Sequence, residues 1–333
     1  MLSHRIRLSR RTVVSGAMLA WAGHPLRAFA QEVPFPTRPV RIITPFPVGG
    51  GPDGVARLVA DKLSKKWAQP VMVENRPGGN GFIAIDAWKR GAKDGHDLIQ
   101  LDNVHLAAYP SLFKKLPYDP AVDFDPVLPL FRTYFFITVA ATSPYKTVAD
   151  LIADARRSPG KLNFGSWSVG NPVHLGSELF SSMTGTKFEH IVFKETTQLY
   201  TSVRNGDLAF ALGSSATAGP LQRAGKLRFL AVAAPKRTAG YDSVPTVAES
   251  GGPAGFEASG WNALATPRGL APAVTAKIKH DVEAALAEPD VRDKFASFGY
   301  EPFTPTREQF AQFIQAESQR LGEVIRRVNI ALD

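Results

Sequence analysis

The sequence predicts a two-domain α/β protein, with a mixed, mostly parallel sheet flanked by helices in each domain. The chain of 333 residues is long enough for two domains of ordinary size. Short β-like and helical segments alternate from residue 40 to residue 101, which is typical of a sheet covered by helices on both faces. A strand, a turn of small residues and a helix follow one another twice, around Gly49 and around Gly170.

The first of these units starts with a β-forming run at residues 40–43. The strand ends at Pro45 and Pro47, because proline removes a donor from the strand ladder. Three glycines at 49–51 then precede a helix whose apolar residues recur every three or four positions up to about Trp67. Bare N–H groups and the helix dipole favour an anion at such a turn. A tight turn that simply needs small residues is the alternative interpretation.

The second unit places a loop of small residues, 166–171, between a predicted strand at 162–165 and a predicted helix at about 173–185. Its order of strand, loop and helix repeats that of the first unit. Two such units in separate domains could face each other across a cleft.

The remaining elements follow from apolar runs and from the turn residues between them. Further strands are predicted at residues 71–73, 97–101, 127–131, 134–141, 189–193, 208–212, 227–233 and 261–265. Further helices are predicted at residues 82–90, 199–205, 220–225, about 272–287 and about 307–328, with one capped by Thr147 that ends near residue 159. The run at 134–141 is expected to cross between the domains, and the strand at 261–265 to return to the first sheet.

The N-terminal thirty residues are predicted to be an export signal. A basic segment at 5–11 precedes a short apolar segment at 12–23, and Ala28-Phe29-Ala30 fits a signal cleavage site. Arg10 and Arg11 before the apolar segment indicate the twin-arginine route, with a general secretory signal as the alternative. The mature chain is therefore expected to be periplasmic, and without a cysteine it has no lipid anchor.

Composition and charge exclude several classes of function. The formal net charge is +9, and the first thirty residues contribute five of those charges, so the rest carries only +4. This mild charge, without a Lys/Arg run, does not indicate a nucleic-acid partner. The absence of cysteine excludes disulfides, thiol nucleophiles and iron–sulfur sites. The seven histidines are scattered without metal-ligand spacing, so no metal or cofactor is predicted.

Two segments of the sequence resemble enzyme motifs. Residues 166–170 lack the frame of a nucleophile elbow because Ser166 stands at its first glycine position, and His174 is more typical of capping or packing than of a base. Residues 49–54 formally fit G-x-G-x-x-G, with Glu74 at the spacing of the dinucleotide fingerprint. The prolines before the turn and the export signal argue against it. An exported two-domain enzyme acting on a carboxylate or a dinucleotide remains the alternative.

Several motifs in order carry a family resemblance. Pro45-Phe46-x-x-Gly49-Gly50-x-x-Asp53, followed by Ala56-Arg57, resembles the opening loop of the periplasmic solute receptors of tripartite tricarboxylate transporters, the Bug or TctC-like family. The match continues with Val73-Glu74-Asn75-Arg76-Pro77-Gly78, Asp94-Gly95, Asp123-Phe124, Pro126-Val127, Gly225-Lys226-Leu227-Arg228, Val244-Pro245-Thr246 and Trp261. The resemblance covers nearly all of the mature chain.

The resemblance implies a periplasmic-binding-protein fold, the Venus flytrap, and no enzymatic activity. A small organic carboxylate would lie between domain 1, residues 31–138 and 260–333, and domain 2, residues 139–259. Membrane permease subunits of a tripartite tricarboxylate transporter would be the partners, and the receptor would be a monomer.

The resemblance also implies the site. On the domain 1 side, Phe46 and the backbone of Gly49 and Gly50 would hold a carboxylate. On the domain 2 side, Ser166, Ser168 and the Gly170 amide would hold polar groups. The full set of expected ligand-binding residues is Phe46, Pro47, Val48, Gly49, Gly50, Ser166, Trp167, Ser168, Val169, Gly170, Asn171 and Phe193. Asp53 is expected to cap the helix and shape the turn, since a carboxylate would repel an anionic ligand.

Two departures from the family pattern bear on the ligand. Val192-Phe193-Lys194-Glu195 replaces the usual Pro-Tyr-x-Gly, and Gly213 stands where an acid that faces an ammonium group is common. An amino-acid ligand is therefore disfavoured. Lys194 would either offer a cation or be a solvated lysine at the rim. Trp167 would either line the site beside an apolar or aromatic ligand or pack on the neighbouring helix.

Overall fold

The computed structural model describes residues 34–49, 51–91, 93–193 and 195–332. The predicted export signal lies outside the described residues, as do the predicted site residue Gly50 and Lys194 at its rim.

The described residues form ten strands and eleven α-helices. The strands are β1 Val40–Thr44, β2 Val71–Asn75, β3 Asp97–Asp102, β4 Phe124–Tyr134, β5 Phe136–Ala140, β6 Asn163–Ser166, β7 Glu189–Val192, β8 Phe210–Gly213, β9 Leu227–Val232 and β10 Ser259–Pro267. The helices are α1 Gly51–Trp67, α2 Phe82–Lys89, α3 Tyr109–Leu112, α4 Pro120–Asp123, α5 Val148–Arg157, α6 Pro172–Thr184, α7 Thr196–Asn205, α8 Ser215–Arg223, α9 Pro272–Leu286, α10 Pro289–Phe298 and α11 Arg307–Val328.

Two five-stranded sheets organise these elements. Sheet I has the order β2-β1-β3-β10-β4, and sheet II has the order β7-β6-β8-β5-β9. In each sheet the first three strands are parallel, and the last two strands add antiparallel pairings. The predicted α/β class is confirmed. The fraction of antiparallel strand pairings is larger than the prediction of a mostly parallel sheet implies. The reason is that β10 inserts between β3 and β4, and β5 inserts between β8 and β9.

The chain passes from sheet I to sheet II at one residue, Phe135, between β4 and β5. It returns to sheet I after Ala258, where β10 begins, as the sequence predicted for this strand. Hydrogen bonds join the two crossings: Phe135 N donates to Ala258 O at 3.0 Å, and Ala233 N donates to Phe135 O at 2.8 Å. Both crossing segments are thus tied together at one place.

The core of sheet I explains why its strands are apolar runs. Ile42 and Ile43 point to opposite faces of β1, and both are buried. Ile42 belongs to the cluster under α1 and α9, and Ile43 to the cluster that contains Trp261. A strand buried on both faces reads as a continuous hydrophobic run.

Several helices differ from the prediction, and the short helices α3 and α4 were not predicted. Helix α8 begins at Ser215, well before the predicted residue 220, because the Ser214 hydroxyl caps it and accepts a hydrogen bond from Thr217 N at 3.2 Å. Pro220 lies inside this helix rather than at its start. Helix α10 was not predicted, although Pro289 at its first position and Gly299 after its end are ordinary start and stop signals.

Candidate functional site

The strand orders place both predicted loops at equivalent points. In sheet I, β1 lies between β2 and β3, and in sheet II, β6 lies between β7 and β8. From β1 the chain runs to β2 on one side and then to β3 on the other, and from β6 it runs to β7 and then to β8 in the same way. At such a reversal a crevice opens beyond the carboxyl ends of the strands. The turn after β1 and the loop after β6 therefore lie where α/β sheets bind their ligands.

A buried carboxylate organises the turn after β1. Asp53 is 2% exposed, and its Oδ2 accepts from Gly49 N at 2.9 Å and from Arg57 Nε at 3.0 Å. Its Oδ1 accepts from Asn75 Nδ2 at 2.8 Å, and the same amide donates to Phe46 O at 2.9 Å. Burial by itself raises the pKa of Asp53, but the hydrogen bonds from Arg57, Asn75 and Gly49 outweigh it and lower the pKa. Asp53 holds the turn from inside.

This arrangement changes the assignment of one donor. The Gly49 N–H, expected to bind the ligand carboxylate, already donates to Asp53. Gly49 has φ +82°, a left-handed conformation that suits glycine and points its N–H inward. Phe46 is half-buried, whereas Pro47, Val48 and Gly49 are exposed.

The third glycine of the turn is needed for packing. A Cβ on Gly51 would lie 1.9 Å from the hydroxyl oxygen of Tyr300. Tyr300 is buried and stacks on Phe131 with ring centroids 4.1 Å apart, so it cannot easily move away. One glycine of the apparent dinucleotide fingerprint therefore has a structural explanation.

A neutral network organises the loop after β6. Asn171 caps α6, because its Oδ1 accepts from Val173 N at 2.7 Å and from His174 N at 3.0 Å. Its Nδ2 donates to Ser168 O and to Ser166 Oγ, the latter at 3.1 Å. Ser166 Oγ also lies 2.7 Å from His190 Nε2. The side chains of Ser166 and Asn171 are buried and used within the loop, which leaves Trp167, Ser168 and Val169 half-buried at its surface.

Two stacked histidines support the same loop. Gly170 N donates to His174 Nδ1 at 2.9 Å, so this amide, like that of Gly49, is already used within the protein. His174 and His190 stack with ring centroids 4.0 Å apart. Burial lowers the pKa of His190 to about 4, and the neighbouring His174 contributes in the same direction. His174 is thus a packing residue that receives a loop amide.

The loop also contacts helix α3 and the segment after α11, both of which pack against sheet I. A Cβ on Gly170 would lie 2.9 Å from Leu112 Cδ1 and 3.2 Å from Leu332 Cδ1. Leu112 ends α3, and Leu332 N donates to Leu112 O at 3.0 Å. The structure thereby brings the domain 2 loop against the sheet I side of the molecule.

Phe193 lies beside the same loop, directly after the edge strand β7. Its N–H donates to Ser166 O at 2.8 Å, and its half-buried ring lies over Gly165. The presence of glycine instead of an acid at position 213 has a physical basis, since a Cβ there would lie 2.7 Å from Ala218 Cβ. A longer side chain does not fit at that position.

The sequence reasoning missed the residues that follow β3. Asp102 ends β3, and a π-helix, Val104–Ala108, follows after Asn103. The ring of His105 lies edge-to-face with Phe46, with centroids 6.5 Å apart. Because β3 is the parallel neighbour of β1, the ends of both strands meet at one edge. The predicted alternation of strands and helices implies that the ends of β1 and β3 are neighbours, and this signal could have located the residues after β3.

Other kinds of site have no support in the part of the chain that the structure describes. Within it, no three His, Cys, Asp or Glu side chains are grouped so as to hold a metal ion. None of the described helices combines the length and apolar character needed to cross a membrane.

Two five-stranded sheets flanked by helices, each with a loop at an equivalent switch point, define the class of periplasmic solute-binding proteins. The family model of the tripartite tricarboxylate transporter family receptor matches residues 55–330, and the chain belongs to this family.

Individual proteins agree with this membership. BugT of Bordetella pertussis is 31% identical over 328 residues, which cover 98% of this chain and 100% of BugT. The structure of R. palustris Rpa4515 with adipate matches with a TM-score of 0.80 and 31% identity, covering 89% of this chain and 99% of that chain. MatC from Rhodopseudomonas palustris with bound malate matches with a TM-score of 0.76 and 29% identity, covering 87% of this chain and 100% of that chain.

Proposed function

We propose that this protein is a periplasmic receptor that binds a small organic carboxylate between two domains and delivers it to the permease subunits of a tripartite tricarboxylate transporter. The observation that carries the proposal is the pair of preformed loops at the two switch points, after β1 and after β6. The adipate and malate bound to two similar proteins support a carboxylate as the ligand.

The two domains are residues 31–138 with 260–333, and residues 139–259. The exchange of sheets at Phe135 and after Ala258 supports this division to within a few residues. We assign the hinge to this place, because both crossings between the sheets lie here and hydrogen bonds join them through Phe135, Ala233 and Ala258. Closure by a hinge in crossing strands is the motion of periplasmic binding proteins in general.

The contacts within the two loops sharpen the binding mode. Because the amides of Gly49 and Gly170 are used internally, the carboxylate is held by the remaining groups: the first N–H groups of α1 and the hydroxyl of Ser168. Ser168 Oγ has one long contact among the described residues, from Asn171 Nδ2 at 3.4 Å. Neutral donors of this kind bind an anion without burying an unpaired cation.

The hydrocarbon part of the ligand contacts aromatic side chains. Phe46 lies on the sheet I side of the cleft, and Trp167 and Phe193 lie on the sheet II side, all three half-buried. Ser166, Asn171 and Asp53 have positioning roles, since their polar atoms hold the loops. Pro47, Val48 and Val169 line the mouth of the cleft.

The protein is exported through its first thirty residues, works without catalysis in the periplasm and functions as a monomer. The absence of cysteine and the basic, apolar and small-residue order of the leader support this location.

The function is tested by a thermal-shift panel on residues 31–333 with mono-, di- and tricarboxylates, aromatic carboxylates, amino acids and NAD. A ligand at about a hundred times its Kd stabilises the folded state by roughly 2.7 kcal/mol, which raises Tm by several degrees. We expect a shift with one class of carboxylate and none with NAD. A shift with NAD alone would overturn the receptor and favour a dinucleotide enzyme.

A matched pair of serine variants tests the site. Ser168→Ala removes the hydroxyl assigned to the ligand, and we expect about a tenfold loss of affinity for the carboxylate found in the panel. Ser297→Ala removes an exposed hydroxyl on α10 that bonds only Lys294 O among the described residues. It should leave the affinity unchanged. Equal affinities for both variants would remove Ser168 from the site.

A further inference from the structure

A cavity of about 940 Å³ opens on the flank of sheet I, away from the loops after β1 and β6. Its walls come from the end of α2, the segment between β3 and β4, the residue after β10 and one face of α11. None of the described residues expected to bind the ligand lines it. Sites that hold small organic molecules have volumes of about 300–1,000 Å³. We call this space the flank cavity, and its defining residues are Leu106, Phe113, Leu116, Arg268 and Ile314.

The topology of sheet I separates the flank cavity from the cleft. Arg268 directly follows Pro267, the last residue of β10. Because β10 runs antiparallel to β3, which is parallel to β1, this end of β10 lies toward the amino ends of both strands. The turn after β1 lies beyond their carboxyl ends. The flank cavity and the cleft therefore have separate linings, and a ligand in one does not exclude a ligand in the other.

The floor of the flank cavity is apolar. Leu106 and the ring of Tyr118 are buried in it, and the Tyr118 hydroxyl donates to His105 O at 2.7 Å, so it is used within the protein. Three half-buried side chains pack on the same apolar core and also line the cavity: Phe113, Leu116 and Ile314. Their remaining exposed surface favours contact with the hydrocarbon part of a ligand.

One wall of the flank cavity is held in a single conformation by its own contacts. Pro117 and Pro120 line this wall and restrict its backbone. Asp119 Oδ1 accepts from Ala121 N at 2.8 Å, and Asp119 N donates to Asp123 Oδ2 at 2.9 Å. The cavity is thus preformed, which lowers the entropic cost of binding.

The charges of the flank cavity leave one cation without a partner. Three cationic and two anionic side chains line it, for a net charge of +1: Lys89, Lys114, Arg268, Asp119 and Asp123. Both carboxylates are engaged, because Asp119 caps α4 and Asp123 Oδ2 lies 2.7 Å from Lys89 Nζ. Arg268 is exposed and has no hydrogen bond or ion pair with another described residue. Its guanidinium can therefore bind an anion at the edge of the apolar floor.

We propose that the flank cavity is a second ligand site, which binds an amphipathic organic anion such as a medium-chain carboxylate or an aryl sulfonate. The hydrocarbon part lies on Phe113, Leu116 and Ile314, and the anionic group pairs with Arg268. A short dicarboxylate is disfavoured, since its second charge would lie on the apolar floor without a partner. The inference goes beyond the proposed function and does not rest on it, because the cleft and the flank cavity have separate linings.

Fluorescence titration of residues 31–333 with anilinonaphthalene sulfonate tests the site, because this aryl sulfonate becomes fluorescent in apolar surroundings. We expect saturable binding that octanoate reverses, and no displacement by the carboxylate found in the thermal-shift panel. Arg268→Gln should weaken octanoate binding about fivefold and leave the binding of neutral octanol unchanged. Arg292→Gln, an exposed arginine on α10, is the control and should leave both affinities unchanged.

A second pair of variants on α11 tests the floor. Ile314→Asp places a carboxylate where the hydrocarbon lies, and we expect at least about a tenfold loss of affinity for the aryl sulfonate. Gln312→Asp adds the same charge at an exposed position of the same helix and should bind like the wild type. Thermal unfolding of each variant confirms that it is folded.

Three results would overturn the flank site. They are the absence of saturable binding by the wild type, displacement of the aryl sulfonate by the cleft carboxylate, and wild-type affinities in a folded Arg268→Gln. If the panel finds no cleft ligand, the proposed function fails while the two pairs of variants still decide the flank site.

Discussion

The turn after β1 and the loop after β6 occupy equivalent places in the two sheets, yet they are stabilised by different chemistry. The first is held by a buried carboxylate, Asp53, which accepts from a guanidinium, an amide side chain and a backbone N–H. The second is held by a neutral network of Asn171, Ser166 and two stacked histidines. The same topology therefore fixes only where the two loops lie, and each loop's own side chains decide which backbone donors are used within the protein.

The difference has consequences for stability and for pH. A buried charge with several partners is costly to disturb, since its removal leaves those partners unsatisfied. A neutral hydrogen-bond network loses less stability when one of its members is removed. The Asp53 carboxylate, whose pKa is lowered, responds to strongly acidic pH, whereas His190 responds in a higher range.

The largest effect is expected for Asp53→Asn, which should break the first turn. The change removes the charge opposite Arg57 and leaves Gly49 N or Asn75 Nδ2 facing another amide. We expect a loss of about 2–3 kcal/mol in the free energy of unfolding, because Asp53 is buried while the side chain of Arg57 is half exposed and keeps access to water. Urea unfolding of the variant and the wild type measures it.

Asp61→Asn is the control on the same helix. Asp61 forms an exposed i,i+4 pair with Lys65, at 2.7 Å between Oδ2 and Nζ. We expect a change within about 0.5 kcal/mol for this surface pair. If both variants lose the same stability, the buried carboxylate does not organise the turn.

A smaller effect is expected for Asn171→Ala in the second loop. The change removes the cap of α6 and the amide that bonds Ser166 and Ser168 O, and it adds no buried charge. We expect a loss of about 1–2 kcal/mol, again from urea unfolding. Asn205→Ala, an exposed position at the end of α7, should change stability by less than about 0.5 kcal/mol. A loss in Asn171→Ala as large as in Asp53→Asn would remove the contrast between the two loops.

Much of the fold follows from local patterns in the sequence. Pro45, the three glycines and Pro52 marked the turn after β1, and Thr147 marked the start of α5 with a full capping box in the structure. The predictions failed where tertiary contacts decide. Pro220 looked like a helix start, but the Ser214 cap places it inside α8. The antiparallel insertion of β10 and β5 depends on partners more than a hundred residues away for β10, which no local pattern carries.

The candidate site divides in the same way. The sequence placed both small-residue loops, because each is one continuous segment. It assigned the amides of Gly49 and Gly170 to the ligand because the side chains that use them, Asp53 and His174, act through geometry that spacing alone does not show. His105 was not singled out, since its contact with Phe46 joins the ends of two strands that are far apart in the sequence.

A dependence of stability on pH is also expected, and it belongs to the second loop. Burial and the neighbouring His174 lower the pKa of His190 from its ordinary 6.5 to about 4 in the folded protein. Between these values the unfolded chain binds more protons than the folded one, so this group's contribution is complete above pH 6.5 and is lost as the pH falls toward 4. The lowered pKa of Asp53 acts in a different range, because that contribution is lost only below its ordinary value of 3.8.

His190→Gln tests this assignment, since a glutamine amide can still bond Ser166 but does not titrate. The slope of unfolding free energy between pH 6.5 and 4 should be shallower in the variant than in the wild type. His280→Gln, on the exposed side of α9, should keep the wild-type slope. A slope that is unchanged in His190→Gln would mean that His190 does not set the acid response of this loop.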